Sequence, residues 1–312
     1  MGTISEFSGA SVGAIVAACA SSDMQTIPGA MAELQGAELV PHRNTCQLAY
    51  SGWRAMRGYD DGFYSNSRLR QVIGSVLHNS TVSVPRLSIG LTNATTLQQE
   101  RLVKHKGQRI VPDEVAASCS IPFVFPPLRL NNTAYVDGGI QRSFVRDAVI
   151  ESLRNADIKY VSLMGCCPWA GPEAQQHAVF DAASLLMRVG IKRWYENIAA
   201  CTNEYLGIIG VPQEDMADGR FIVMRNKHTG RSTVVTPTNN ASEDCDACDK
   251  VVLFVAPTRA EFDTFWDATF TASPAKRMNT IRTLKLAGTS AAREVNRMLA
   301  RCGVSKLSLV LA

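Results

Sequence analysis

Apolar and polar positions along this chain switch repeatedly between two periods. Short apolar runs with strand character (Thr3–Phe7, Arg86–Leu91, Ala134–Val136, Lys159–Gly165, Phe221–Met224, Val234–Val235, Val251–Ala256) are interleaved with segments of helical spacing (Val12–Ala20, Leu69–Leu77, Pro112–Ser118, Val145–Leu153). Arg101–His105 reads as the hairpin partner or neighbour of Arg86–Leu91. Strands alternating with helices predict α/β architecture. Pro112 opens its helix with Asp113 and Glu114 in the first turn, where the helix dipole favours acids. Pro28 to Gly62 reads as irregular, and Pro172–Leu206 carries a long helical pattern. From Ala260 on the chain reads as helical, interrupted near Pro274 and Gly288. In its last helix Arg293, Arg297 and Arg301 share one face and Val295, Met298, Leu299 and Cys302 another. No repeat or linker intervenes. The pattern predicts one domain, 1–312, with 258–312 as a helical C-terminal extension.

Composition narrows this picture. A chain that is 46% hydrophobic and 19% charged can bury a sizeable core. Net charge is +4, and the stretch from Lys276 onward holds eight basic residues against Glu294; that tail carries +7, leaving −3 for the rest. Such a tail reads first as a solvated helix face, with peripheral contact with an anionic membrane left open and no nucleic acid expected. Nine cysteines without framework spacing read as reduced thiols of a cytoplasmic protein. Cys245 and Cys248 form a single C-x-x-C; a structural zinc would need Cys166 and Cys167 as well, so no metal and no cofactor is expected. The apolar stretch Gly9–Ala20 could serve a signal peptide, but no basic residue precedes it and Glu6 stands there instead. No run approaches membrane-spanning length, and no pattern specifies an oligomeric state.

Two short runs carry chemistry. Gly9-Ala10-Ser11-Val12-Gly13 lies between a strand and a small-residue helix, which puts a serine hydroxyl on a sharp turn at the positive end of a helix. Asp137-Gly138-Gly139 offers a carboxylate at a strand end. A serine hydroxyl is a poor nucleophile at neutral pH and needs a base within hydrogen-bond reach. Asp137 would take that role, with the Val12 backbone N–H facing the developing oxyanion. A Ser-His-Asp triad with His177 or His228 is the rival arrangement, though neither histidine stands in a supporting motif. Asp60–Asp61 reads as a solvated loop rather than a cation site, and Trp53, Phe63 and Tyr64 as core, lid or acyl-pocket residues.

The run Val115-Ala-Ala-Ser-Cys-Ser-Ile-Pro-Phe-Val-Phe-Pro-Pro127, followed by Tyr135-Val136-Asp137-Gly138-Gly139, resembles the patatin-like phospholipases. Phe7-Ser8-Gly9-Ala10-Ser11-Val12-Gly13-Ala14-Ile15 resembles that family's nucleophile turn, and Gly62-Phe63-Tyr64 with Ser67-Arg68-Leu69-Arg70 its intervening loop. The resemblance spans about residues 3 to 165. It implies a patatin-like three-layer α/β sandwich with a central, mostly parallel sheet. It also implies a lipid or fatty acyl ester substrate, hydrolysed through an acyl-enzyme by a serine–aspartate dyad. By position Ser11 would be the nucleophile and Asp137 the general base, with Gly9, Gly13, Gly138 and Gly139 as motif support. The family's glycine-rich oxyanion loop lies some tens of residues before the nucleophile, whereas ten residues precede Ser11. The chain is therefore expected to lack that loop and the family's first strand, and Lys306–Ala312 is a candidate to fill the strand's slot. Losing one oxyanion donor costs about 2.7–4 kcal/mol, so the alternative is a catalytically inactive relative or fragment, acting as a binding or membrane-surface module.

Overall fold

A computed structural model describes residues 4–36, 64–122, 124–165, 169, 196–212, 218–239, 245–258, 261 and 274–304. The chain divides into two compact units, Gly2–Ala148 and Val149–Ala312.

The first unit is built on strand β2 (Arg86–Asn93), which is buried along nearly its whole length. Strand β3 (Gln99–His105) lies antiparallel along one edge of β2, from Arg86↔His105 to Thr92↔Gln99. The other edge is shared. Strand β1 (Glu6–Ala10) runs parallel to the first part, ending at Ala10↔Gly90. Strand β5 (Thr133–Asp137) runs antiparallel to the remainder, ending at Asp137↔Leu91. Two strands thus approach each other end to end along one edge, and their last residues face consecutive positions of β2. Strand β4 (Leu128–Leu130) completes the sheet as a hairpin with β5. Its turn residues, Asn131 and Asn132, both take positive φ, which a tight two-residue hairpin turn requires.

Between β1 and β2 come helices α1 (Val12–Ser22), α2 (Ile27–Gly36) and α3 (Ser67–Val76), the crossover that a parallel pair demands. Helix α4 (Pro112–Ser118) spans the predicted residues, with its proline at the helix start. Core residues Ile15, Ile73, Leu87, Ile89, Ile110 and Val115 are almost completely buried. Tyr64 packs partly buried against this cluster, whereas Trp53, Asp60, Asp61 and Phe63 lie outside the described residues.

Helix α5 (Arg146–Arg154) leads into the second unit. There strand β9 (Cys248–Val255) pairs in parallel with β6 (Tyr160–Met164) and antiparallel with β7 (Arg220–Asn226), which carries β8 (Ser232–Val235). Residues 196–208 are helical, and α6 (Pro274–Arg301) is the last helix among the described residues. The buried Lys250 ammonium donates to the carbonyls of Ser152 at 3.1 Å, Asn155 at 2.7 Å and Ile158. Burial lowers its pKa. Cys245, Cys248 and Cys302 are buried free thiols in the same core as Val295, Met298 and Leu299, while Cys166 and Cys167 lie outside the described residues.

The expected α/β class, with helices flanking sheet, is what the structure has. Among the described residues, parallel pairing is confined to β1–β2 and β6–β9. The β2–β3 and β4–β5 pairs are antiparallel because their connections are too short for a crossover. Three local expectations change. The first strand runs Glu6–Ala10 rather than Thr3–Phe7, because pairing with β2 carries it up to Ser11. Residues 28–36, part of the stretch read as irregular, belong to α2, with Pro28 in its first turn where no N–H is missed. Pro274 opens α6 and Gly288 does not interrupt it; an exposed glycine costs about 1 kcal/mol, which a 28-residue helix absorbs. The strand-like run Lys306–Ala312 lies outside the described residues.

Candidate active site

The shared edge of β2 explains why residues 11 and 137 meet. Ser11 is the first residue beyond β1, and Asp137 is the last residue of β5. Ser11 Oγ donates to Asp137 Oδ2 at 2.5 Å across a sequence separation of 126. The serine backbone has φ 57° and ψ −133°, a strained conformation for a residue with a side chain. Such strain costs of order 1–3 kcal/mol and persists only where the surroundings enforce it. Here the surroundings are identifiable. The Ser11 N–H donates to Ser118 Oγ at 3.0 Å, and the Ser11 carbonyl accepts from Ala14 N–H at 2.8 Å and from the Cys119 thiol at 3.1 Å.

The end of α4 also holds the other half of the pair. Asp137 N–H donates to Ser120 O at 2.9 Å and Gly138 N–H to Ser118 O at 3.1 Å. Ser118 Oγ itself donates to Gly90 O at 2.6 Å. Residues 118–120 therefore clamp both chain ends to β2. The sequence alone assigns these three residues no role. Its signal was a cluster of small polar side chains directly after a short helix. Buried small hydroxyls need partners, and backbone from two strand ends was the available supply.

The glycines of the two runs differ in purpose. A Cβ on Gly9 would stand 2.0 Å from Gly13 O, so the first turn of α1 can sit on β1 only if residue 9 has no side chain. Gly138 is held likewise against Gly90 O, at 1.9 Å. Gly13 faces open space. Gly139 donates its N–H to Asp137 Oδ1 at 2.7 Å, which leaves Oδ2 to Ser11.

The electrostatics follow from burial. Asp137 is 4% exposed. Desolvation lifts its pKa from 3.8 to about 6, against the lowering effect of the hydrogen bonds from Ser11 and Gly139. The Cys119 thiol beside it is pushed well above its ordinary range by burial and by the Asp137 charge, so it stays neutral. A carboxylate near 6 that accepts a serine hydroxyl proton can act as a base at neutral pH. Val12, the first residue of α1, has no intrahelical acceptor for its N–H. Val12 is 56% exposed, and Ile121, next to Ser120, is 46% exposed. His228 sits in an exposed turn, its N–H bonded to Asn226 Oδ1, and His177 lies outside the described residues. Among the described residues no cluster of His, Cys, Asp or Glu could hold a metal ion, and no helix is long and apolar enough to cross a membrane.

A strained serine after a strand, a buried aspartate at a second strand end and a small-residue clamp between them all fall within one stretch of sequence. The family model described as patatin-like phospholipase matches residues 3–150, and over that stretch the chain is similar to this family of lipolytic hydrolases.

Proposed function

We propose that this protein hydrolyses fatty acyl esters of lipids through an acyl-enzyme, with Ser11 as nucleophile and Asp137 as general base. The observation that carries the reading is the 2.5 Å contact between Ser11 Oγ and Asp137 Oδ2. In acylation, Ser11 Oγ attacks the ester carbonyl carbon while its proton passes to Asp137. The carbonyl oxygen takes the negative charge at the start of α1, where the Val12 N–H and the helix dipole face it. The intermediate collapses and expels the alcohol, which takes the proton back from Asp137. Water then gives a proton to Asp137 and attacks the acyl carbon; the intermediate collapses, Asp137 returns that proton to Ser11 Oγ, and the fatty acid is released. Val12, next to Ser11, and Ile121, next to Ser120, are exposed apolar residues, suited to contact with an acyl chain.

The base must be ionised to work, so activity should rise with pH through about 6 rather than about 4. The test is labelling of the purified chain with a fluorophosphonate, alongside hydrolysis of p-nitrophenyl acyl esters and phospholipid vesicles. Ser11→Ala should abolish labelling, and Asp137→Asn should lower turnover by about 10²–10⁴. Undiminished labelling of Ser11→Ala removes that serine from the chemistry. An unlabelled wild-type chain that still binds vesicles identifies a binding module instead.

A further inference from the structure

The geometry points to Gln99 as the positioning residue that aims the Asp137 carboxylate at Ser11. The catalytic meaning of this inference rests on the Ser11–Asp137 reading; the positioning itself does not. Gln99 is on β3, opposite Thr92. Its side chain reaches across β2 above Gly90, where an added Cβ would lie 3.2 Å from Nε2. Nε2 donates to the carbonyls of Gly138 at 2.9 Å, Arg142 at 3.1 Å and Phe144 at 2.9 Å. Oε1 accepts from the Arg146 N–H at 3.3 Å. Two amide hydrogens serve three carbonyls, so one hydrogen is shared. The neighbours also dictate the orientation of the amide: three acceptors on one side and a donor on the other leave no choice.

Those four bonds span residues 138–146, the segment by which the chain leaves Asp137. Within it, Gly139 N–H grips Asp137 Oδ1. The direction of Oδ2 therefore depends on where Gly139 is held, and Gly139 belongs to the loop that Gln99 ties down. The segment Arg142-Ser143-Phe144-Val145 has no proline to stiffen it. A half-buried amide from the neighbouring strand supplies the constraint instead. No substitution conserves this set of bonds. Glutamate would turn an acceptor toward three carbonyls, and methionine would offer them nothing.

The experiment compares the full 312-residue chain with Gln99→Met and Gln99→Glu. One readout is hydrogen exchange of the Gly139 amide under native conditions. The others are kcat and KM on a p-nitrophenyl ester and the rate of fluorophosphonate labelling. Both variants should lower Gly139 protection by about tenfold or more, as a locally opened segment does. Both should lower kcat by about 10²-fold, the cost of a misplacement near 1 Å, with KM within about twofold of wild type. If Gln99→Met does not fold, Gln99→Glu, which keeps the packed stem and the acceptor for Arg146, decides. Unchanged Gly139 protection overturns the inference whatever happens to melting temperature, and so does a labelling rate equal to wild type. A wild-type chain that is never labelled overturns the reaction alone, and Gly139 exchange then still decides the role of Gln99.

Discussion

Replacing Asp137 with asparagine should stabilise this protein at neutral pH while disabling it, and the stabilisation should itself depend on pH. The carboxyl is 4% exposed and its pKa rises from 3.8 to about 6 on folding, chiefly by desolvation. Between those two values the folded state holds a proton that the unfolded state has released. Stability from this group is therefore fully present below about pH 4 and is lost as pH rises through about 6. At about 1.4 kcal/mol for each tenfold, a rise from 3.8 to about 6 amounts to about 3 kcal/mol. Asparagine has nearly the same shape and never ionises. Any change in packing or hydrogen bonding that it introduces is the same at every pH and cancels when the difference between variant and wild type is followed across pH. Urea unfolding of both chains from pH 4 to pH 8 should show that difference moving in favour of Asp137→Asn by about 2.5 kcal/mol, most of it before pH 6.5. A difference that stays flat, or moves the other way, would refute the claim that Asp137 is a desolvated carboxylate held ready to accept a proton. The result expected is a familiar trade of stability for function, located here in one side chain.

Further outcomes follow from the same contacts. Gly9→Ala should reach or exceed the upper end of the about 1–3 kcal/mol that overpacking costs, because the new methyl meets the backbone of Gly13, which cannot move aside. Gly13→Ala, facing open space at an exposed helical position, should be neutral or stabilising by up to about 1 kcal/mol; equal losses in the two variants, measured by thermal unfolding, would mean that α1 does not sit on β1 as described. In the second unit, Lys250→Met should cost about 2–5 kcal/mol, since three carbonyls lose the charged donor of a buried lysine. A loss below about 0.5 kcal/mol in urea unfolding, the range of an ordinary surface change, would show those bonds to be dispensable.

Much of this protein is legible residue by residue. Pro112 with two acids behind it marks both the start and the character of α4, since proline pre-sets the first helical φ and acids suit the helix dipole. The alternation along β2 and the apolar stripe of α6 are likewise local, because side-chain direction repeats every two or about 3.6 residues. The two chemical runs, and the family they resemble, could be read the same way. Misreadings arose where a strong local signal was outweighed by position. Pro28 in a first turn and Gly288 on an exposed helix face disturb nothing.

Tertiary structure alone decided how the pieces act together. Nothing near Ser11 in sequence announces that β5 will end against the same edge of β2, one residue further along, and so deliver a carboxylate from 126 residues away. Nor do Ser118, Cys119 and Gln99 reveal in sequence that their side chains will fasten the backbone of residues 11 and 138–146. Local preferences extend over a few residues, whereas strand pairing joins distant ones, and a hydrogen bond between side chains needs both partners placed to within a fraction of an ångström. Sequence determined which groups were available and on what kind of element each would stand. Folding around β2 determined which of them touch, because only the shared edge brings two strand ends, one helix end and one neighbouring strand to the same few ångströms.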